Sequence, residues 1–256
     1  MKVSRREFVS IGGCAFAASL CATPSFALSA SNSGAKVSAR CTLLNLESDC
    51  ALPESLAGLR SALGSAHRGI DASDFQSNDL GDVVIVAAAG SATPESYSFA
   101  AALLARGARV LWESGAAFLD SRAFAMQRDL VREHFGISME RPVDVWAQYG
   151  ARKAGVRKST ASETNVSARS KRAIGHERIP YIAYRWPREA HVRDFSRVIP
   201  VSASSGHAIA HWGEIPVAWS KHVANGMLVF LGSPIGPALR ARDSDAASLL
   251  RSMIAV

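Results

Sequence analysis

The feature that most constrains the fold of this chain is the run Asp82–Ala89, whose sequence is DVVIVAAA. A continuous apolar and β-branched run of strand length is typical of a parallel strand that is buried on both faces. Thr93 and Pro94 follow as the N-cap and first residue of a helix, and Ala108–Trp112 is the next apolar run. Because parallel strands are joined through crossover helices, this strand–helix–strand order predicts an α/β fold.

Shorter segments extend this pattern toward both ends of the chain. We predict a first strand at Arg40–Glu47 and a helix that begins at Pro53. The short strands predicted in the C-terminal half are Tyr181–Trp186, Val198–Val201, His207–Trp212, Val217–Val223 and Met227–Leu231. Asn225 and Gly226 predict a hairpin turn before the last of these strands, and a final helix follows at about Asp243–Ile254. The expected architecture is a doubly wound, mostly parallel, flavodoxin-like sheet with a C-terminal β-hairpin and a final helix.

The first 27 residues have the composition of a twin-arginine export signal. Arg5 and Arg6 precede the apolar stretch Val9–Ala22, and small residues before Ala27 predict cleavage after that residue. The stretch is shorter than the ~20 apolar residues of a membrane span and contains glycines. A lipid-anchored start at Cys14 is the alternative, although it leaves almost no apolar region before it. We therefore expect recognition by the export machinery through the paired arginines, a periplasmic or secreted location, and no membrane span in the mature protein.

Beyond the signal, we predict a Ser-rich flexible terminus at residues 28–38 and a single α/β domain at residues 39–256. Most of the chain's net charge of +7 comes from residues 151–178, which hold eight Lys or Arg and two Glu. This segment has no apolar periodicity, so it is predicted to be a basic loop or insertion. It is either a solvated loop without a partner or a contact to an anionic component of the cell envelope. Because no aromatic residues are interleaved with its charges, specific nucleic-acid binding is not expected.

Two cysteines remain after the predicted cleavage, Cys41 and Cys50. An exported compartment permits a disulfide between them, which would stabilise the fold by about 2–3 kcal/mol. Two thiols without a nearby histidine or further cysteine do not form a metal site. The sequence therefore predicts a structural bridge, and neither a metal nor a cofactor.

Three segments, DVVIVAAAGSATPE, ARVLWESGAAF and GMLVFLGSP, resemble the class I glutamine amidotransferase-like superfamily. The resemblance implies that Gly90 and Ser91 lie in a turn that supplies oxyanion donors, and that Ser114 occupies the nucleophile elbow. The superfamily places a cysteine at that elbow, and its histidine precedes an acid by two positions. Here His211 and Glu214 are three positions apart. The resemblance therefore implies an exported amidotransferase-like protein without glutaminase activity, one that binds a ligand or a cell-envelope partner.

The alternative class is a hydrolase whose site lies at the same elbow. Ser114 would attack with His211 and Glu214 as its base and orienting acid, or Glu113 would act as the acid and base itself. Glu113 ends a predicted parallel strand, where open α/β sheets bind ligands, so residues 89–91 and 113–115 are expected to share one crevice. The simpler interpretations are that Ser114 fits a tight turn and that Glu113 caps the following helix.

An aromatic segment is the last candidate for a binding surface. Tyr184 and Trp186 lie beside Arg185 and Arg188. We expect one of the two aromatic side chains to pack in the core. The other either stacks on a sugar or packs under the basic segment, so both are candidate ligand-binding residues.

Overall fold

The structure is a computed structural model that describes residues 40–45, 51–71, 80–90, 92–147, 181–194 and 197–256. For residue 45 and residues 66–71 it describes the backbone only. The chain divides into Met1–Val37 and a compact unit, Ser38–Val256. The predicted export signal, the Ser-rich terminus and the basic segment at 151–178 lie outside the described residues, so those interpretations stay predictions.

The helices and strands of the described residues follow one another along the whole compact unit. The helices are α1 (Pro53–Leu63), α2 (Pro94–Ala105), α3 (Ser121–Phe135), α4 (Gly236–Arg240) and α5 (Ser244–Ala255). The strands of the first half are β1 (Cys41–Asn45), β2 (His67–Asp71), β3 (Val83–Ala89), β4 (Arg109–Ser114), β5 (Ile137–Met139) and β6 (Val143–Asp144). Those of the second half are β7 (Tyr181–Tyr184), β8 (Ala190–Arg193), β9 (Arg197–Val198), β10 (Val201–Ala203), β11 (His207–Trp212), β12 (Ile215–Val223) and β13 (Gly226–Leu231).

Nine of these strands form one mixed sheet in the order β2-β1-β3-β4-β13-β12-β11-β7-β8. The pairings from β2 to β13 are parallel, and those from β13 to β8 are antiparallel. The prediction of a mostly parallel, doubly wound, flavodoxin-like sheet is therefore wrong. Loop length explains the difference. The turns at residues 213–214 and 224–225 are too short for a crossover connection, so the strands that they join must run antiparallel.

The sheet is covered by helices on both faces, and the strand β3 shows how the sequence directs this. Val83 and Ile85 pack in an apolar cluster with α1, α4 and α5, whereas Val84 and Val86 pack in a second cluster with α2 and α3. Every residue of β3 is buried, as the continuous apolar run predicted. None of the helices in the described part of the chain is both long and apolar enough to cross a membrane.

Helix boundaries follow local signals that are legible in the sequence. Asp120 caps α3 by accepting hydrogen bonds from the backbone N–H groups of Arg122 at 2.8 Å and Ala123 at 2.9 Å. Gly136 ends the same helix in the left-handed conformation, with φ 62°. Helix α5 lies within one residue of its predicted bounds at each end.

The predicted C-terminal hairpin is confirmed, but its turn is shifted by one residue. The turn is formed by Ala224, with φ 51°, and Asn225, whereas Gly226 is the first residue of β13 and pairs with Val223. Gly226 is required for a different reason. A Cβ there would lie 2.4 Å from the carbonyl oxygen of Ala108, because the start of β13 lies directly beside the start of β4.

Candidate functional site

The ends of the two central parallel strands lie side by side, as the sequence predicted. Ala89 pairs with Ser114, and the N–H of Gly115 donates to the carbonyl of Ala89 at 2.7 Å. The strand β4, however, continues two residues beyond its predicted end at Trp112. Glu113 and Ser114 are therefore strand residues, and the chain turns only at Gly115.

The carboxylate of Glu113 joins three separate parts of the fold. One oxygen accepts from the hydroxyl of Ser55 in α1 and from the N–H of Ala88 in β3 at 3.2 Å. The other accepts from the N–H groups of Ile235 at 2.9 Å and Gly236 at 3.1 Å, where α4 begins. Because the side chain is only 1% exposed and every partner is a donor, Glu113 is a buried anchor and not an open acid.

Two opposing effects act on the pKa of Glu113. Burial disfavours the charged form and raises the pKa above its ordinary range. The hydrogen bonds from Ser55, Gly236, Ile235 and Ala88 favour the carboxylate and lower it, by a smaller amount. The net direction is upward, and the cause is desolvation.

The structure does not bring Ser114 together with the predicted base and acid. Ser114 is 2% exposed, and its hydroxyl contacts the sulfur of Met139 at 4.0 Å and accepts from the N–H of Ala116 at 3.3 Å. His211 lies on β11, which is separated from β4 by β13 and β12, so about 14 Å of sheet divides the two residues. Glu214 is exposed in the turn after β11. No Ser–His relay is assembled here.

The remaining candidates near the strand ends are mostly buried. Gly90 packs against Ala51, whose Cβ would lie 2.5 Å from a Cβ placed at Gly90. Ser91 lies outside the described residues. Tyr184 is 2% exposed and its hydroxyl has no hydrogen-bond partner among the described residues. Burial raises the pKa of Tyr184, and the carboxylates of Glu113 and Asp194 raise it further. The core member of the aromatic pair is therefore Tyr184.

Only one cysteine of the predicted disulfide, Cys41, lies in the described residues. Cys41 is a buried free thiol at the start of β1, and Cys50 lies outside the described residues, so the bridge stays a prediction. Burial raises the pKa of the Cys41 thiol to about 11, which keeps it protonated at neutral pH. In the described ranges, no group of three or more His, Cys, Asp or Glu residues is placed to hold a metal ion.

A cavity with a volume of about 770 Å³ lies at the opposite end of the parallel strands, where they begin. We call it the edge groove. Three parallel strands begin along it, β12 ends there, and the last residues of α5 form one wall. The lining residues are Asp82, Val83, Gly107, Arg109, Trp186, Ser205, Gly206, His207, Ser220, Lys221, His222, Asn225, Gly226, Met227, Ile254, Ala255 and Val256.

Hydrogen bonds fix the walls of the edge groove in place. Arg109 donates to the carbonyls of Met253 at 3.2 Å and Ile254 at 3.1 Å, which ties the end of α5 to the sheet. The indole N–H of Trp219 donates to the carbonyl of Ser205 at 2.8 Å and holds the loop before β11. The groove is therefore largely preformed, as ligand sites usually are.

The side chains of the edge groove combine one aromatic surface with several polar groups. Trp186 is half-buried, packs against the apolar core and lines the groove. His207 and His222 are exposed, and Lys221 donates to the carbonyl of Phe135 at 2.9 Å. Of the eight sequence-predicted catalytic and ligand-binding residues, the edge groove contains Trp186 and none of the others that the structure describes. The rule that ligands bind at the carboxyl ends of parallel strands cannot identify residues that lie at the amino ends of those strands.

No family model matches the chain, and no curated protein matches it. A β-galactosidase from Bacillus circulans sp. alkalophilus has 14% identity and a TM-score of 0.50, covering 84% of this chain and 31% of that one. An exo-β-1,4-mannosidase from Opitutaceae bacterium strain TAV5 has 10% identity and a TM-score of 0.52, covering 86% and 35%. A cytoplasmic protein from Salmonella typhimurium LT2 has 10% identity and a TM-score of 0.52, covering 84% and 98%.

The similarity to these structures concerns the fold alone. The chain spans about a third of the length of the two glycosidases, so it corresponds to a part of each enzyme. The same fold makes up nearly the whole of the Salmonella protein.

These findings overturn the amidotransferase-like interpretation. The matching structures named above are glycosidases and a cytoplasmic protein, and the sheet is antiparallel over half of its pairings. The prediction of an amidotransferase-like binding protein is wrong. The hydrolase alternative at the Glu113–Ser114 elbow is unsupported as well, because Glu113 anchors the fold and the hydroxyl of Ser114 contacts no histidine of the described residues.

Proposed function

We propose that this protein is a carbohydrate-binding domain whose ligand lies in the edge groove. The observation that carries the proposal is Trp186, a rigid aromatic surface set in a cavity of about 770 Å³ that also presents His, Asn, Ser and Asp side chains. The C–H face of a sugar ring packs on an indole, and its hydroxyls hydrogen-bond to such polar groups. The volume is within the range of about 300–1,000 Å³ that small ligands occupy.

The solved structures support the choice of ligand class. Two of the proteins that share the fold carry the titles β-galactosidase and exo-β-1,4-mannosidase, so both act on glycosides. This chain matches about a third of each, which fits a domain that contributes binding.

Binding is proposed in preference to hydrolysis because of where the carboxylates lie. Glycoside hydrolysis ordinarily requires two carboxyl groups that flank the scissile bond in an open site. The described lining of the edge groove contains one acidic side chain, Asp82. Glu113 and Asp194 are buried, and Asp194 accepts a hydrogen bond from the hydroxyl of Ser233.

Replacing Trp186 with alanine is expected to weaken oligosaccharide binding by tenfold or more, because truncating an anchoring aromatic side chain costs about 2 kcal/mol or more. Isothermal titration calorimetry with galacto-oligosaccharides and β-1,4-manno-oligosaccharides measures the affinity. Trp146→Ala is the matched control, since Trp146 is 40% exposed and does not line the groove.

Trp186 also packs against the core, so each variant is checked by thermal unfolding before titration. His207→Ala gives a second test at an exposed position of the same groove and is expected to reduce the affinity several-fold. Wild-type protein that binds neither class of oligosaccharide, or that loses affinity equally in Trp146→Ala, contradicts the proposal. Release of reducing sugar by the purified protein contradicts the binding-only assignment.

A further inference from the structure

A second cleft, with a volume of about 530 Å³, lies between the first half of α3 and the paired strands β6 and β9. We call it the arginine cleft. Its lining residues are Ala117, Leu119, Ser121, Phe124, Ala125, Arg128, Arg141, Pro142 and Arg197. Nothing in the proposed carbohydrate site involves these residues.

The arginine cleft concentrates positive charge from three separate elements. Arg128 belongs to α3, Arg141 precedes β6, and Arg197 begins β9. Arg197 donates to the carbonyl of Ala117 at 3.4 Å, and Ala117 is itself part of the lining. Among the described residues that line the cleft there is no Asp or Glu. Like charges held together in this way repel one another unless an anion compensates them.

Two carboxylates are neighbours of these arginines along α3 or across the β6–β9 pairing, and neither lines the cleft. Asp129 pairs with Arg128 at 3.4 Å, but it also pairs with Arg132 at 3.2 Å, and it does not line the cleft. Asp144 is opposite Arg197 in the β6–β9 pairing, and one of its oxygens accepts from the N–H of Ala147 at 2.8 Å. The described lining of the cleft therefore carries three arginines and no acidic side chain.

We propose that the arginine cleft binds a phosphate monoester that carries an apolar or aromatic group. Guanidinium groups present planar pairs of N–H donors that match phosphate oxygens, and a phosphate monoester carries a charge of about −1.5 to −2 at neutral pH. The apolar side of the cleft is formed by Leu119, Phe124 and Pro142, which can pack against the ester group. The ligand class follows from this combination of charge and apolar surface.

Binding of phenyl phosphate to the wild-type protein, followed by calorimetry or by NMR titration, tests the proposal. Arg141→Gln and Arg197→Gln are each expected to weaken binding by about tenfold, because each removes charge-assisted hydrogen bonds to the phosphate. Arg122→Gln is the matched control. It changes the net charge equally, from an exposed position of α3 that does not line the cleft, and is expected to retain the affinity.

Ligand analogues separate the sources of affinity. Inorganic phosphate is expected to bind more weakly than phenyl phosphate, because it cannot use the apolar side of the cleft. Phenyl sulfate and benzoate, which carry a single charge, are also expected to bind more weakly. Equal binding of these anions, equal losses in Arg122→Gln, or no binding at millimolar concentrations overturns the assignment. Trp186→Ala is expected to leave phenyl phosphate binding unchanged, so this test stands apart from the carbohydrate proposal.

Discussion

Glu113→Ala is expected to lower the free energy of unfolding by about 3–5 kcal/mol, because it breaks a buried hydrogen-bond network. The substitution leaves the hydroxyl of Ser55 and three backbone N–H groups without their acceptor in a site that is 1% exposed. It also releases the start of α4. Equilibrium urea unfolding followed by circular dichroism measures the loss.

Glu133→Ala is the matched control for this variant, because Glu133 is an exposed glutamate in α3 and its loss is expected to cost less than about 0.5 kcal/mol. A change below about 1 kcal/mol in Glu113→Ala would show that the carboxylate does not anchor the fold.

The raised pKa of Glu113 makes stability depend on pH. Between the ordinary carboxyl value of 4.5 and the higher pKa of the folded state, the folded protein binds more protons at this residue than the unfolded chain does. The contribution of Glu113 to the unfolding free energy therefore increases as the pH falls through this window. Urea unfolding at a series of pH values should show this slope in the wild type and a weaker one in Glu113→Gln.

Gly58→Ala is expected to lower the free energy of unfolding by about 2–3 kcal/mol, although alanine is the better helix former by about 1 kcal/mol. Gly58 lies in α1, and a Cβ there would be 1.9 Å from the carbonyl oxygen of Gly236 in α4 and 2.9 Å from the backbone nitrogen of Arg240. Both contacts are with backbone, so the two helices must separate, and Ser55 would move away from Glu113 with α1. Thermal and urea unfolding measure the effect.

Gly64→Ala is the control that isolates backbone conformation from packing. Gly64 ends α1 with φ 55°, and a Cβ there would meet no atom within 4 Å. Its substitution is expected to cost about 1–3 kcal/mol through the backbone alone, because φ 55° with ψ −135° is a conformation that glycine adopts far more readily than alanine. If Gly58→Ala were neutral or stabilising, the close contact between α1 and α4 would not exist in solution.

The parts of the fold that the sequence predicted correctly are those governed by local signals. The apolar run at β3, the hairpin signal at Asn225 and the final helix near Asp243 each depend on signals within a few residues, so the positions of these elements could be predicted. The direction of the strands could not be predicted in the same way. The sheet changes from parallel to antiparallel at β13, which pairs with β12, its neighbour in the chain, and with β4, which is distant in the chain. The two-residue turns at 213–214 and 224–225 are the sequence signal for the antiparallel half, because connections this short cannot form a crossover.

The sequence-predicted site and the proposed site lie at opposite ends of the parallel strands. The rule that open α/β sheets bind ligands at the carboxyl ends of their strands directed attention to Glu113 and Ser114. Here α1 and α4 close that end, and the carboxylate of Glu113 accepts hydrogen bonds from the Ser55 hydroxyl of α1 and from the backbone N–H groups at the start of α4. The sequence signal for the edge groove is a pair of polar residues, Lys221 and His222, at the end of the first hairpin strand. Trp186 belongs both to the candidates predicted from the sequence and to the lining of the edge groove.

The central claim is that the ligand site lies at the edge groove and that the carboxyl end of the parallel strands is structural. Two-dimensional ¹H–¹⁵N NMR of the labelled protein, titrated with galacto- or manno-oligosaccharides, tests it most directly. We expect shift changes at the backbone amides of Trp186, His207 and His222 and at the Trp186 indole, and no change at the amides of Glu113 and Ser114. Saturable shift changes centred on Glu113 and Ser114, with the groove residues silent, would contradict it.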